Sequence, residues 1–228
     1  MAKIILITGT DTGVGKTVLT ALLLRHLRRR GRRALAMKPF CSGGRQDARL
    51  FHDLQKECLT LGETNPFYFP QALAPALAAK KARRQIQFST VEEKIRAAAR
   101  RCEILLVEGS GGVLAPLGPG YCAADLAVAF GGPIVVVARN RLGTINHTLL
   151  TVRYLQAAGA KELIVTLMGD QRPDLSARSN ARSLKELMPG VAVFSVPFLG
   201  AGAGRAGGVK KNEKILKKLL QGILEVLW

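Results

Sequence analysis

Short, continuous apolar runs alternate along this chain with glycine-rich turns and longer stretches of helical periodicity. Residues 4–8 form the first run, and 34–37, 104–107, 134–138, 163–167 and 191–196 repeat the pattern. Runs that are apolar throughout, rather than at every second position, suit parallel strands covered on both faces. Helical periodicity fills the intervals at 17–30, 48–61, 90–101, 123–130, 146–158 and 175–188, and Gly31 is placed to end the first of these helices. A basic amphipathic stretch, 210–227, closes the chain. This order of elements predicts an α/β fold: a single doubly wound, mainly parallel sheet with helices on both faces, spanning 1–228 as one domain. Residues 64–87, interrupted by Pro66, Pro70 and Pro75, read as loop with one short helix, and the Gly/Ala-rich stretch 200–208 reads as loop. In such a sheet ligands gather at the carboxyl ends of the strands, so the loops that follow strands are where chemistry is expected.

Composition narrows the class. With 228 residues and 48% hydrophobic positions the chain can bury a core of its own and is not a disordered polymer. No apolar run approaches the roughly 18 residues needed to span a bilayer. The four apolar residues after Lys3 are too few for a secretory signal, so the expected compartment is the cytoplasm. Cys41, Cys58, Cys102 and Cys122 form no C-x₂-C pair, which reads as reduced thiols rather than a zinc or redox site. The 34 Lys and Arg against 16 Asp and Glu give a net charge of +18, which points to anionic partners. The basic runs are dispersed and carry few interleaved aromatics. They therefore provide no base-stacking platform and argue against nucleic acid as the main partner.

The densest chemical signal follows the first strand. Gly9-Thr10-Asp11-Thr12-Gly13-Val14-Gly15-Lys16-Thr17 ends in the Gly-Lys-Thr of a phosphate-binding loop and runs straight into a helix. Glycines let backbone N–H groups curl around phosphate oxygens, and the helix N-terminus adds partial positive charge. Lys16 would reach the β- and γ-phosphates of ATP, and the Thr17 hydroxyl would ligate Mg²⁺. The strand at 104–107 ends in Glu108, an acidic residue positioned to hold Mg²⁺ opposite that threonine. Gly111 and Gly112 then allow close approach of backbone to a ligand. The second strand ends in Met37-Lys38-Pro39, which aims Lys38 at the same crevice, where it can neutralise a transferring phosphoryl group. Asp47 is a second candidate for Mg²⁺. Cys41, between Lys38 and Ser42, is expected to be open to thiol reagents.

Together these stretches closely resemble the dethiobiotin synthetases, ATP-dependent ligases of biotin biosynthesis built on the P-loop NTPase fold. The resemblance runs in order through Ile7 to Thr17, Lys38-Pro39 with Ser42-Gly43, Asp47-Ala48 and Asn65-Pro66-Phe67. It continues through Val107-Glu108-Gly109, Ala115-Pro116-Leu117, Leu142-Gly143-Thr144-Ile145-Asn146-His147 and Val196-Pro197. It implies 7,8-diaminopelargonic acid, CO₂ (or bicarbonate) and ATP as substrates, with Mg²⁺ as cofactor. By the same resemblance Lys16, Lys38 and Thr12 would be catalytic, and Thr17, Asp47 and Glu108 would hold the metal. Thr10, Asp11, Gly13, Val14, Gly15, Lys16, Thr17, Gly169 and Pro197 would contact ATP. Thr12, Lys38, Ser42 and Gly111 would contact the diamine or its carbamate. Gly143, Thr144 and Asn146 would receive the substrate carboxylate across the interface of a homodimer. Where the family often has an adenine-reading Asn after the strand near 167, this chain has Gly169.

The alternative is a switch ATPase of the partitioning or septum-site type, using the basic surface on DNA or membrane. Those ATPases carry a signature lysine early in the phosphate loop, and Asp11 stands at the matching position. The cobalamin-type synthetases of related fold carry a long glutaminase domain, for which this chain has no room.

Overall fold

A computed structural model describes residues 2–56 and 58–227. Six strands form the main sheet: β1 (Lys3–Gly9), β2 (Ala34–Met37), β5 (Ile104–Glu108), β8 (Ile134–Arg139), β9 (Leu163–Met168) and β10 (Ala192–Val196). Their order is β10-β9-β8-β1-β5-β2, and every pairing is parallel. Two small sheets lie apart from it. One pairs β3 (Phe40–Ser42) with β4 (Phe67–Phe69), and the other is a hairpin of β6 (Pro116–Gly118) and β7 (Tyr121–Cys122). The helices are α1 (Lys16–Arg29), α2 (Gln46–Leu54), α3 (Leu61–Thr64), α4 (Pro75–Lys81), α5 (Phe88–Ala99), α6 (Ala123–Ala129), α7 (Thr144–Ala157), α8 (Asn180–Leu187), α9 (Ala206–Ile215) and α10 (Lys217–Val226). Each of the six apolar runs is a strand of the main sheet, as expected for a doubly wound α/β fold.

The continuous runs still alternate in the direction of their side chains. Ile5 and Ile7 of β1, with Ile104 and Leu106 of β5, join one buried cluster with Leu19, Leu22 and Leu23 of α1 and Leu220 and Ile223 of α10. Leu6, Leu105 and Val107 face the other way, into a cluster with Val91 and Ile95 of α5 and Val152 and Leu155 of α7. Both faces of the sheet are therefore covered, which is why no polar position breaks the runs. Central β1 is flanked by β5 on one side and β8 on the other, so the chain changes direction of winding there. The crevice at such a switch point receives ligands, and the loop after β1 opens into it.

Several helix boundaries depart from expectation. The segment expected as one helix at 48–61 divides into α2 and the short α3; Glu57 lies outside the described residues. Lys56 has φ +52°, a left-handed turn that no helix continues through, and Thr60 opens α3 with a reciprocal cap with Glu63. The closing helix begins earlier, at Ala206, and breaks at Leu216, which is buried against the core between α9 and α10. The segment 175–188 is a 3₁₀ turn (Leu175–Arg178), capped by Asp174, followed by α8. Residues 64–87 hold the short strand β4 as well as the expected helix, α4, with Pro75 in its first turn. Among the described residues no helix is long and apolar enough to cross a membrane.

Candidate active site

The loop after β1 is shaped by its glycines. Gly13 and Gly15 adopt φ +71° and +103°, which L side chains resist. A Cβ on Gly9 would lie 2.8 Å from the Val14 side chain and 3.1 Å from Lys16 Nζ, so the loop closes only over a bare α-carbon. α1 starts at Lys16, with its free N–H groups facing the loop.

Side chains from four separate segments converge here. Lys16 Nζ donates to the Asp11 carbonyl at 2.7 Å and to the Gly111 carbonyl at 2.8 Å. Thr17 Oγ1 donates to Glu108 Oε1 at 2.7 Å. Lys38 Nζ donates to the same oxygen at 2.7 Å and also to Asp47 Oδ2. Glu108 is fully buried, and its Oε2 has no partner among the described residues. Ser42 Oγ is likewise buried and unpartnered. Buried polar atoms are normally satisfied, and these two border the cleft, where a ligand, ion or water can reach them.

The Lys38 segment is held by a buried asparagine. Asn65 Nδ2 donates to the Lys38 and Pro39 carbonyls at 2.9 and 3.1 Å, and Arg45 Nε donates to Asn65 Oδ1 at 3.0 Å. This explains why Asn65-Pro66-Phe67 accompanies Lys38-Pro39: one segment fixes the path of the other.

Thr10, Asp11, Thr12, Gly13, Gly15, Lys16, Thr17, Lys38, Ser42, Asp47, Glu108 and Gly111 line one cleft of about 1180 Å³. Val14 lies beneath it, buried in the core. Leu73, Pro75, Val113 and Leu114 form an apolar wall, and α7 contributes Leu150, Thr151 and Tyr154. Sequence reading missed these three. Their signal is the i, i+4 spacing of Leu150 and Tyr154, one turn and more beyond the start of α7.

Gly143, Thr144 and Asn146 do not line this cleft. Gly143 caps α7 with φ +90°, Thr144 is buried, and Asn146 is exposed. Gly169 and Pro197 also lie outside the lining but beside each other, where the ends of β9 and β10 meet. The Gly169 N–H donates to the Val196 carbonyl at 2.8 Å, and a Cβ at 169 would lie 2.8 Å from the Phe198 nitrogen. The backbone of this chain thus has no room for an asparagine at 169. Cys41, expected to be reachable by thiol reagents, is instead buried, and burial pushes its thiol up to about 11. It borders the cleft but is only 3% exposed, and the raised thiol disfavours the reactive thiolate.

The two lysines differ in electrostatics. For Lys38, burial alone would lower the ammonium, but Glu108 and Asp47 outweigh it and hold the group charged well above the usual range. For Lys16, burial dominates and lowers the group to about 8, with Glu108 opposing and Lys38 reinforcing the fall. A triphosphate favours the protonated form, so nucleotide affinity is expected to fall as pH rises through about 8. Binding near pH 9 is then expected to take up protons, roughly up to one per site. Calorimetry in two buffers of different ionisation enthalpy measures that uptake; pH-independent binding with no uptake would refute the lowered lysine.

The donor set fits a hard divalent cation. A carboxylate with a free oxygen, a second carboxylate and a threonine hydroxyl lie beside a phosphate loop, and Mg²⁺ takes few protein oxygens when phosphates and water complete its shell.

Comparison with known proteins agrees with this geometry. A family model described as an AAA domain matches residues 3–201. The ATP-dependent dethiobiotin synthetase of Anaeromyxobacter sp. (strain Fw109-5) is 46% identical over 157 residues, covering 67% of this chain and 70% of the relative. That of Bacillus velezensis is 36% identical over 200 residues, covering 85% and 83%. Among solved structures, a ParA family ATPase from Chlorobium tepidum TLS superposes with a TM-score of 0.59 over 96% of this chain and 93% of its own. At 13% identity that is a likeness of fold. Identity of 36% over 85% of the chain decides the family: the chain belongs to the ATP-dependent dethiobiotin synthetases.

Proposed function

We propose that this chain, acting as one catalytic domain, joins CO₂ to 7,8-diaminopelargonic acid and closes the ureido ring of dethiobiotin at the expense of ATP. The observation that carries the reading is the convergence of Lys16, Lys38, Thr17 and Glu108 on one cleft with an apolar wall. Such a cleft suits a substrate with two adjacent amines at one end and an aliphatic chain behind them.

The chemistry needs charge and position more than proton transfer. CO₂ adds to one amine to give a carbamate, with loss of a proton to solvent. A carbamate oxygen attacks the γ-phosphorus of ATP, ADP leaves, and a carbamic–phosphoric anhydride results. The neighbouring amine attacks the carbonyl carbon, phosphate departs, and the ring closes. Lys16 stabilises negative charge on the transferring phosphoryl group. Lys38, held charged by its two carboxylates, stabilises the carbamate oxygen and the anhydride. Thr12 and Ser42 hydrogen-bond the amines or the carbamate, and Gly111 lets backbone approach them. Thr17, Asp47 and Glu108 would hold Mg²⁺, which when bound neutralises the phosphate oxygens and fixes their geometry.

The reading extends to a homodimer. On the resemblance to the family, Gly143, Thr144 and Asn146 would receive the substrate carboxylate of a partner copy; Gly143 and Asn146 are exposed for that role, whereas Thr144 is buried and could offer only its backbone. On the same resemblance, Gly169 and Pro197 would contact the base, Gly169 through its backbone alone.

The test is phosphate release from MgATP with and without the diamine and bicarbonate, with GTP and CTP in parallel. Release that requires both added substrates and yields dethiobiotin supports the reading. Release that ignores them, but rises with DNA or lipid vesicles, overturns it in favour of a switch ATPase.

A further inference from the structure

Arg139, the last residue of β8, is claimed by none of the roles above. Its guanidinium grips the phosphate loop from outside the cleft: Nε and Nη2 both donate to the Gly13 carbonyl, at 3.2 and 3.1 Å. The third contact is Nη1 to Asp170 Oδ2 at 3.1 Å, just beyond the end of β9. Met168, two residues before Asp170, packs its side chain against Gly15, so a Cβ on Gly15 would lie 2.9 Å from Met168 Cγ. The end of β9 therefore supports the loop twice, by packing at Gly15 and through Arg139 at Gly13.

The Gly13 carbonyl and the Val14 N–H belong to one planar trans peptide unit, in which the two groups point in opposite directions. A cation forked onto the carbonyl oxygen does two things. It anchors the plane, which glycine at φ +71° with open space around its α-carbon would otherwise leave free to swing. It also withdraws electron density from the amide, so the N–H becomes a stronger donor towards the loop interior.

We propose that Arg139 is a positioning residue that orients and polarises the Gly13–Val14 peptide for the nucleotide phosphates, with Asp170 aiming the guanidinium. The inference deepens the synthetase reading, since it concerns the same nucleotide site. It assigns Arg139 to the phosphates of any nucleoside triphosphate rather than to the base.

The test compares the wild type with Arg139→Ala, Arg139→Lys and Asp170→Asn. Equilibrium binding of ATP, GTP and CTP is measured without diamine, followed by steady-state kinetics. Arg139→Ala is expected to weaken all three nucleotides alike, by about tenfold, the scale of one charge-assisted hydrogen-bond pair. KM for ATP rises by a similar factor while kcat at saturation stays within about threefold. Lysine recovers part of the loss, Asp170→Asn loses less than Arg139→Ala, and the melting temperature of each variant stays close to the wild type, as for other half-exposed positions. Three results would overturn the proposal: unchanged affinity in Arg139→Ala, a loss confined to one base, or a lowered melting temperature with normal affinity in the folded fraction. The binding arm needs no turnover. A wild type that binds nucleotide without making dethiobiotin would defeat the synthetase reading and leave this one standing.

Discussion

Lys16→Ala is expected to abolish dethiobiotin formation while leaving the protein folded. In the free protein the Lys16 ammonium spans the cleft, bonded to carbonyls of Asp11 on one wall and Gly111 on the other. Those neutral acceptors are replaceable, and the lowered proton affinity shows that burial is not fully compensated by the neighbouring charges. A triphosphate would supply further countercharge, so the lysine is expected to be better stabilised with nucleotide bound, and most when charge moves onto the transferring phosphoryl group. Removing such a preorganised cation costs about 100- to 1000-fold in kcat or more. Because the buried charge is destabilising in the empty protein, alanine should melt no lower than the wild type by more than about 1 kcal/mol equivalent. Product formation under saturating diamine, bicarbonate and ATP is the measurement. Activity within tenfold of the wild type would sink the assignment of the loop.

Glu108→Gln has the second largest expected effect, and its signature lies in the metal dependence. Glu108 Oε1 collects the Thr17 hydroxyl and the Lys38 ammonium, while Oε2 is buried and without a partner among the described residues. Glutamine keeps the shape and an acceptor for Thr17, but it removes the charge that attracts a cation and that helps hold Lys38 protonated. Both the half-saturating Mg²⁺ concentration and turnover should worsen by about 10- to 100-fold, as when a carboxylate beside a metal is lost. Lys38 keeps Asp47, so its proton affinity falls without the group becoming neutral near pH 7. An unchanged Mg²⁺ titration would move the metal elsewhere in the cleft.

The two variants also separate the lysines from the carboxylates. Burial lowers Lys16 to about 8, whereas Glu108 and Asp47, on two different elements, hold Lys38 charged.

Much of this architecture is legible without coordinates. β2 runs over the residues its apolar run marks, and the other main strands differ from theirs by one residue or so at either end. Strand runs and the phosphate loop are local signals: side-chain type within a few positions decides whether both faces are covered, or whether the backbone can turn. Lys16, Thr17 and Glu108 were legible as candidates for the same reason, since the first two open α1 and the last ends β5. Helix ends were less so. Lys56 in a left-handed turn and the break at Leu216 follow from where the chain must go next.

The sequence by itself determined the alternation of strands and helices, the glycines that let the loop close, and the lysines and carboxylates available to it. Only the tertiary structure decided that Lys38 joins Asp47 to Glu108, since β2, which Lys38 follows, and β5, which Glu108 ends, are neighbours in the sheet although the two residues are about seventy apart in the chain. It also decided that Cys41 is buried, that α7 reaches the cleft through Leu150 and Tyr154, and that Gly169 has no space for a side chain. Each of these depends on what packs from a distant part of the chain, and accessibility and proton affinity are properties of that packing rather than of the residue.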